Sequence, residues 1–282
     1  MGPVLLMSAP DHFTVSYAIN PWMHPDEWAA HAAEFRREAQ DGWRRLADTY
    51  RALGATVEVM PAAPGLPDLV FTANSAVVLD GVALLARFRF PERQGEEPID
   101  LAFFEGLKRR GLIERIETPP DGTFFEGAGD AIWDSSRQSF WSGYGPRSTP
   151  DAAAMLERVY GKRAIGLELI DPSFYHLDTC FSVLPRGEIL FYPAAFSDDG
   201  RAAIRARAAH SIEADEADAT TLAVNCCSVG ASDIVFGNCS ARLEAKLAAR
   251  GYRVHRAPLG SFCRSGGSAF CLTLRLDARS KV

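Results

Sequence analysis

The sequence predicts one domain of mixed α/β or α+β class. Short apolar strands recur along the whole chain, often in pairs, and a single helix returns at roughly 50-residue intervals, so about five such units fit. No stretch reads as a linker within the 282 residues, and the expected domain spans 1–282. That length is ample for a well-buried core. The units share no repeated sequence at a fixed period. No G-x-G-x-x-G follows a first strand and no P-loop occurs, which excludes a Rossmann or P-loop architecture.

Residues Val4 to Met7 read as a short buried strand, followed by an irregular loop marked by Pro10, Asp11, Asn20 and Pro21. A helix start at Pro25-Asp26-Glu27 leads into Trp28, Ala32, Phe35, Ala39, Trp43, Leu46, Tyr50 and Leu53 at three- and four-residue steps, which predicts one long amphipathic helix stopped at Gly54. Its aromatic stripe is core rather than a ligand site. Thr56 to Met60 is a strand, and Asp68 and Asn74 bracket another. The pair Asp80-Gly81 then joins strands over 75–79 and 82–86 as a hairpin. A charged loop over 88–98 precedes a helix over 99–110 ended by Gly111. Further strands are expected over 139–143, 164–170, 175–184, 188–192, 221–229, 233–236 and 253–257, and helices over 149–160, 198–210 and 240–250.

Hydrophobic residues at 47% and charged residues at 23% are ordinary globular usage. A net charge of −6 without a lysine or arginine cluster supplies no field for nucleic acid, so a small molecule is the expected partner. The opening Met1 to Met7 lacks the charged start and apolar length of a signal peptide. No segment approaches the ~20 apolar residues of a membrane span. The six cysteines, at 180, 226, 227, 239, 263 and 271, form no C-x-x-C pair and keep no regular spacing with histidine. Neither a zinc site nor a disulfide framework is expected, and no metal or other cofactor. Reduced thiols in a cytoplasm follow. A homo-oligomer stays open.

Four stretches carry candidate chemistry. In Arg264-Ser265-Gly266-Gly267-Ser268-Ala269-Phe270-Cys271, small residues form a tight turn that enters a strand, and Cys271 stands at the junction, where a nucleophile can project from a rigid element. A cysteine there can equally be a small buried hydrophobe. Phe125-Glu126-Gly127-Ala128-Gly129-Asp130 sets two carboxylates around a glycine turn, as site residues or as plain turn formers. The expected strand over 175–184 puts His176, Asp178 and Cys180 on one face, and an unpaired buried charge beside a histidine is costly enough to suggest a use. The fourth is Asp68-x-x-Phe71-Thr72-x-Asn74.

In kind, order and spacing these motifs resemble those of the guanidine-modifying amidinotransferase superfamily, which includes arginine deiminase, dimethylargininase, arginine dihydrolase and citrulline ureidase. The resemblance covers nearly the whole chain. It implies a five-bladed α/β propeller, the pentein fold, built of ββαβ units. It further implies Cys271 as nucleophile, His176 as acid and base, and Glu126 and Asp178 as carboxylates that grip a guanidinium fork. Arg93 and Arg147 fall where relatives bind an amino-acid carboxylate, although either can be an ordinary surface arginine. Asp68, Asn74 and Asn20 complete the implied substrate site.

Two departures bear on the substrate. Position 74 is Asn where deiminases and dimethylargininases carry Asp, and an amide both accepts from a guanidinium N–H and donates to a ureido oxygen. Dimethylargininases also tend to have lysine where this chain has Asp178. Together with Asn20, the combination looks most like the arginine dihydrolase branch, which converts arginine to ornithine, ammonia and carbon dioxide. Dimethylargininase, citrulline ureidase, amidinotransferase and a non-enzymatic, macromolecule-binding pentein are the alternatives.

Overall fold

The strands form five three-stranded sheets, two of which include strands, at Arg115–Glu117 and Ser211–Glu213, that the sequence did not predict. The computed structural model describes residues 2–208 and 210–281, so Met1, Val282 and position 209 of the helix expected over 198–210 lie outside the described residues. Four sheets are contiguous in sequence. They comprise β3 (Ala76–Leu79), β4 (Val82–Leu85) and β5 (Arg115–Glu117); β6 (Ala131–Asp134), β7 (Ser139–Tyr144) and β8 (Arg163–Glu168); β9 (Phe181–Val183), β10 (Ile189–Phe191) and β11 (Ser211–Glu213); and β12 (Cys227–Val229), β13 (Asp233–Phe236) and β14 (Arg253–Arg256). The fifth joins β15 (Leu274–Arg275) to β1 (Val4–Ser8) and β2 (Thr56–Met60).

Every sheet follows one rule. Its first two strands pair antiparallel, a helix follows, and the third strand returns parallel to the second. The crossover helices are Ala32–Ala52, Glu97–Arg109, Ala152–Tyr160, Asp198–Arg207 and Ala241–Ala248. A parallel return needs such a crossover, which is why one helix appears per unit. Five ββαβ units make a five-bladed α/β propeller, the pentein fold. The ring closes because β15 supplies the first blade's missing strand, Leu5 facing Arg275 and Leu6 facing Leu274.

Local chemistry explains the elements. Asp80 and Gly81 both take positive φ, 53° and 78°, the backbone a two-residue hairpin of this hand requires. In helix Ala32–Ala52, Phe35, Ala39, Gly42, Leu46, Ala47 and Tyr50 form the buried stripe. Tyr50 carries that packing to the site: its hydroxyl lies 3.2 Å from the Ala269 carbonyl and 2.9 Å from Thr273 Oγ1, bracing the turn of Cys271.

Several expectations need correction. The single helix over 25–53 is broken at His31, whose φ of −125° is not helical, so Pro25–Ala30 and Ala32–Ala52 are separate. The helix expected from 149 begins at Ala152, because the Ser148 hydroxyl donates to Asp130 instead of capping. Glu97–Arg109 starts two residues early, with Pro98 in its first turn. The strand between Asp68 and Asn74 is two short 3-10 turns, Pro67–Val70 and Thr72–Asn74. The strand over 175–184 is likewise a turn, Leu177–Thr179, ahead of the short β9, so His176 and Asp178 do not share a strand face. Over 221–229 only β12 is strand. In all three places, polar side chains and buried backbone groups find partners across turns rather than along a ladder.

These turns carry most of the residues nominated from the sequence. One precedes the first strand of each blade, and the five are stitched into a ring. Ala73 N donates to Cys271 O at 3.1 Å, and Gly129 packs so closely on Asn74 Nδ2 that an added Cβ would collide with it. Leu177 N donates to Asp130 Oδ1 at 3.0 Å, and Asn225 donates to both Asp178 O and Cys271 Sγ.

Candidate active site

The ring gathers residues far apart in sequence into one buried cluster, with Cys271 2%, His176 1%, Glu126 0% and Asp178 0% exposed. Cys271 Sγ donates to Asp178 Oδ2 at 3.0 Å and accepts from Asn225 Nδ2 at 3.1 Å. Burial, together with the charge and hydrogen bond of Asp178, pushes the thiol well above its ordinary value. Burial also raises the Asp178 carboxyl, to about 7, against the lowering effect of Cys271 and Asn225. Each group thus disfavours ionisation of the other, and a cation set beside Asp178 would favour the thiolate. Asp178 Oδ1 has no partner.

Opposite them, Glu126 Oε2 lies 2.7 Å from His176 Nε2 and accepts from Arg147 Nη1 at 3.0 Å. Burial alone would raise this carboxyl, but Arg147 and His176 outweigh it and hold Glu126 well below the usual carboxylate range. With Glu126 ionised, Nε2 is the donor toward it, which leaves Nδ1 as the second ring nitrogen. That atom is buried and unpartnered. A Cβ at Gly129 would lie 3.4 Å from it while striking Asn74 Nδ2, so glycine here keeps Asn74 and His176 on one shared space. Asp130, pushed up to about 6 by burial against His176 and Ser148, holds the turn through Ser148 Oγ at 2.6 Å.

Asn74 and Arg93 act as a unit. Arg93 binds Glu96 bidentately at 2.9 and 2.8 Å, donates to Asn74 Oδ1 at 2.8 Å and to Asp68 O at 3.2 Å, and stacks on Phe88. Far from an ordinary surface arginine, it is buried. Burial pushes Glu96 up to about 7 despite this pairing. Arginine has only donors, so Asn74 must turn its oxygen to Arg93 and its Nδ2 into the site, where it is unpartnered. The Asn74 oxygen already accepts from Arg93, and its Nδ2 is left as an unpartnered N–H donor.

Arg147 is equally enclosed, between Phe90 and Tyr175, with Nη2 on Ile19 O at 3.1 Å and Nε unpartnered. The loop of Ile19 closes the cluster. Tyr17 donates to Asp68 Oδ2 at 2.9 Å, Asn20 Nδ2 to Ser265 O at 3.1 Å, and Trp22 to Ser173 O at 2.7 Å. Asp68 therefore anchors this loop through Tyr17 and Ser265 rather than presenting a free carboxylate. The nine residues nominated from the sequence fall into hydrogen-bonded groups, Glu126 with His176 and Arg147, Arg93 with Asn74 and Asp68, and Asp68 through Ser265 with Asn20, and Cys271 with Asp178, that make up the cluster. A cleft of about 290 Å³ lined by Trp22, His24, Glu27, Cys263 and Arg264 lies outside it and contains none of the four central residues.

A family model described as eukaryotic N,N dimethylarginine dimethylhydrolase matches residues 9–276. The chain belongs to that family. It is 40% identical over 275 residues to the bifunctional arginine dihydrolase/ornithine cyclodeaminase ArgZ of Synechocystis, covering 96% of this chain and 37% of ArgZ. The chain thus spans little more than a third of that relative's length. It is 35% identical to the N(G),N(G)-dimethylarginine dimethylaminohydrolase of Mycobacterium tuberculosis over 270 residues, 96% of this chain and 84% of the other. Crystal structures of the N-terminal domain of ArgZ match at TM-score 0.91 and 37% identity over 99% of both chains, one with substrate in a cysteine-to-serine variant, another covalently bonded to a reaction intermediate in an asparagine-to-serine variant. Among the described residues, no helix is long and apolar enough to cross a membrane, and no group of three or more metal-ligating side chains occurs.

Asn225 and Glu96 were not singled out from the sequence, and Asp130 was noted only as the second carboxylate of the glycine turn. Asn225 sits in an apolar run before two cysteines, and only its position ahead of β12 in the fifth blade marks it as equivalent to the other site turns.

Proposed function

We propose that the chain, as one catalytic domain over 1–282, hydrolyses the guanidinium group of arginine to ornithine, ammonia and carbon dioxide through a covalent bond to Cys271. The observation that carries this reading is that four of the nominated residues keep a buried, unpartnered polar atom: Asp178 Oδ1, His176 Nδ1, Asn74 Nδ2 and Arg147 Nε. An acceptor carboxylate, a base and N–H donors suit a ligand that first offers guanidinium N–H groups and later a ureido oxygen. The arginine dihydrolase relative supports it.

The guanidinium carbon is a poor electrophile, so attack requires a thiolate and a substrate held in place. Guanidinium N–H groups bonding Asp178 displace the thiol's partner and favour the thiolate. The Cys271 thiol proton passes to His176 Nδ1, sulfur bonds to the guanidinium carbon, His176 hands that proton to the leaving nitrogen, and the C–N bond breaks as ammonia departs. His176 Nδ1 then takes a proton from water as its oxygen attacks, the C–S bond breaks, and a ureido group results. In a second round the ureido oxygen accepts from Asn74 Nδ2, sulfur adds to the same carbon and ammonia leaves again. Water releases a carbamate, which loses carbon dioxide to give ornithine. Arg93 and Arg147 orient the substrate carboxylate's end of the site, Asp68 and Asn20 hold the closing loop, and no metal or cofactor takes part. Six free cysteines accord with a reduced, cytoplasmic setting.

The family description and the Mycobacterium relative favour a second reading, methylarginine to citrulline and methylamine. Mass spectrometry of products from arginine, methylarginines, agmatine and citrulline separates them. Ornithine from arginine supports the first, and free methylamines with arginine nearly untouched support the second.

A further inference from the structure

Four turns of the ring supply residues the sequence nominated; the turn before the fifth blade supplies Asn225. Its side chain is fully buried and uses all four hydrogen-bonding positions. Oδ1 accepts from Ser268 N at 3.0 Å and Cys271 N at 3.2 Å, while Nδ2 donates to Asp178 O at 3.0 Å and Cys271 Sγ at 3.1 Å. Its backbone carbonyl accepts from Phe270 N at 3.4 Å. Two backbone N–H groups can only be met by the amide oxygen, so the N–H side must face the sulfur.

We propose that Asn225 positions the nucleophile: its amide clamps the turn over 268–271, aims Sγ at Asp178 and gives the sulfur an N–H that persists once the thiol proton has gone. Asp178, the thiol's other partner, repels a thiolate; an amide N–H attracts it. Tyr175 is a second titratable neighbour of the sulfur, and its hydroxyl is engaged by Gly266 O at 3.0 Å. The inference rests on the proposed role of Cys271, and the two fail separately. Loss of turnover in Cys271→Ser tests the role; the measurements below test Asn225.

The experiment is the pH profile of iodoacetamide alkylation at Cys271, read by peptide mass. Asn225→Asp keeps an oxygen for the two backbone donors and turns a second oxygen to the sulfur. The midpoint for Cys271 should rise by about one pH unit or more, and turnover should fall at least about tenfold. A structural role alone would lower thermal stability and leave the midpoint in place. An unchanged midpoint in a folded Asn225→Asp overturns the proposal. Should that variant not fold, the parent protein still decides. The side-chain amide NMR signals of Asn225 should shift through the Cys271 midpoint and cease to respond once Cys271 is alkylated. Signals indifferent to both overturn it.

Discussion

Replacing Glu126 by glutamine tests the electrostatic centre of the site. Glu126 is fully buried and its Oε2 serves both Arg147 at 3.0 Å and His176 at 2.7 Å. Glutamine keeps the shape and one acceptor but leaves the Arg147 charge buried without a counterion. Breaking a buried pair costs about 3–5 kcal/mol, and the retained acceptor puts Glu126→Gln near the lower end, about 3 kcal/mol. For a chain of this size that lowers the melting temperature by roughly 6–10 °C. The sign of the pH dependence follows from the lowered carboxyl. A group with a depressed folded value adds stability above its unfolded value, near about 4.3, and that stability is lost as the pH falls toward the folded one. The gap between parent and variant should therefore be full at neutral pH and shrink in acid below about pH 4. Denaturant unfolding at a series of pH values measures it. A gap below about 1 kcal/mol at neutral pH, or one unchanged in strong acid, would refute Glu126 as the ionised counterion of Arg147.

Four further outcomes are expected. Cys271→Ser should abolish turnover with the fold intact, whereas Cys227→Ala, in the buried β12, should alter stability and spare turnover; activity in the former would remove Cys271 from the chemistry. Because Asp178 is raised to about 7 and must be ionised to hold a cation, kcat/KM for arginine should climb with pH through that value, and an arginine profile flat across it would contradict this. His176→Ala should trap or fail to form the adduct with a haloacetamidine, and near-native steady-state rates would exclude His176 as acid and base. Asn74→Asp, which keeps an oxygen on Arg93 but removes the inward N–H donor, should shift arginine products from ornithine toward citrulline, read by chromatography of amino acids; an unaltered ratio would dismiss the ureido contact.

Much of the architecture was legible because its signals are local. Asp80-Gly81 encodes a hairpin by backbone conformation, and the buried stripe from Phe35 to Tyr50 encodes a helix by periodicity. The site was legible through its motifs, Glu126 to Asp130 and His176 to Asp178 among them. The turns of the ring were not, because their conformation depends on partners in other blades. The stretch over 175–184 alternates like a strand, yet Leu177 N finds Asp130 and the Asp178 carbonyl finds Asn225. Asn225 itself carries no motif. The orientation of Asn74 was equally out of reach, since it is decided by Arg93, which Glu96 holds in place.

The most direct test of the central claim is the nitrogen and carbon balance for arginine labelled at the guanidino carbon. The site described here predicts one labelled carbon dioxide and two ammonia for each ornithine, with the label caught on Cys271 during turnover. Citrulline as the sole product, or labelled product formed with Cys271 alkylated, would contradict it.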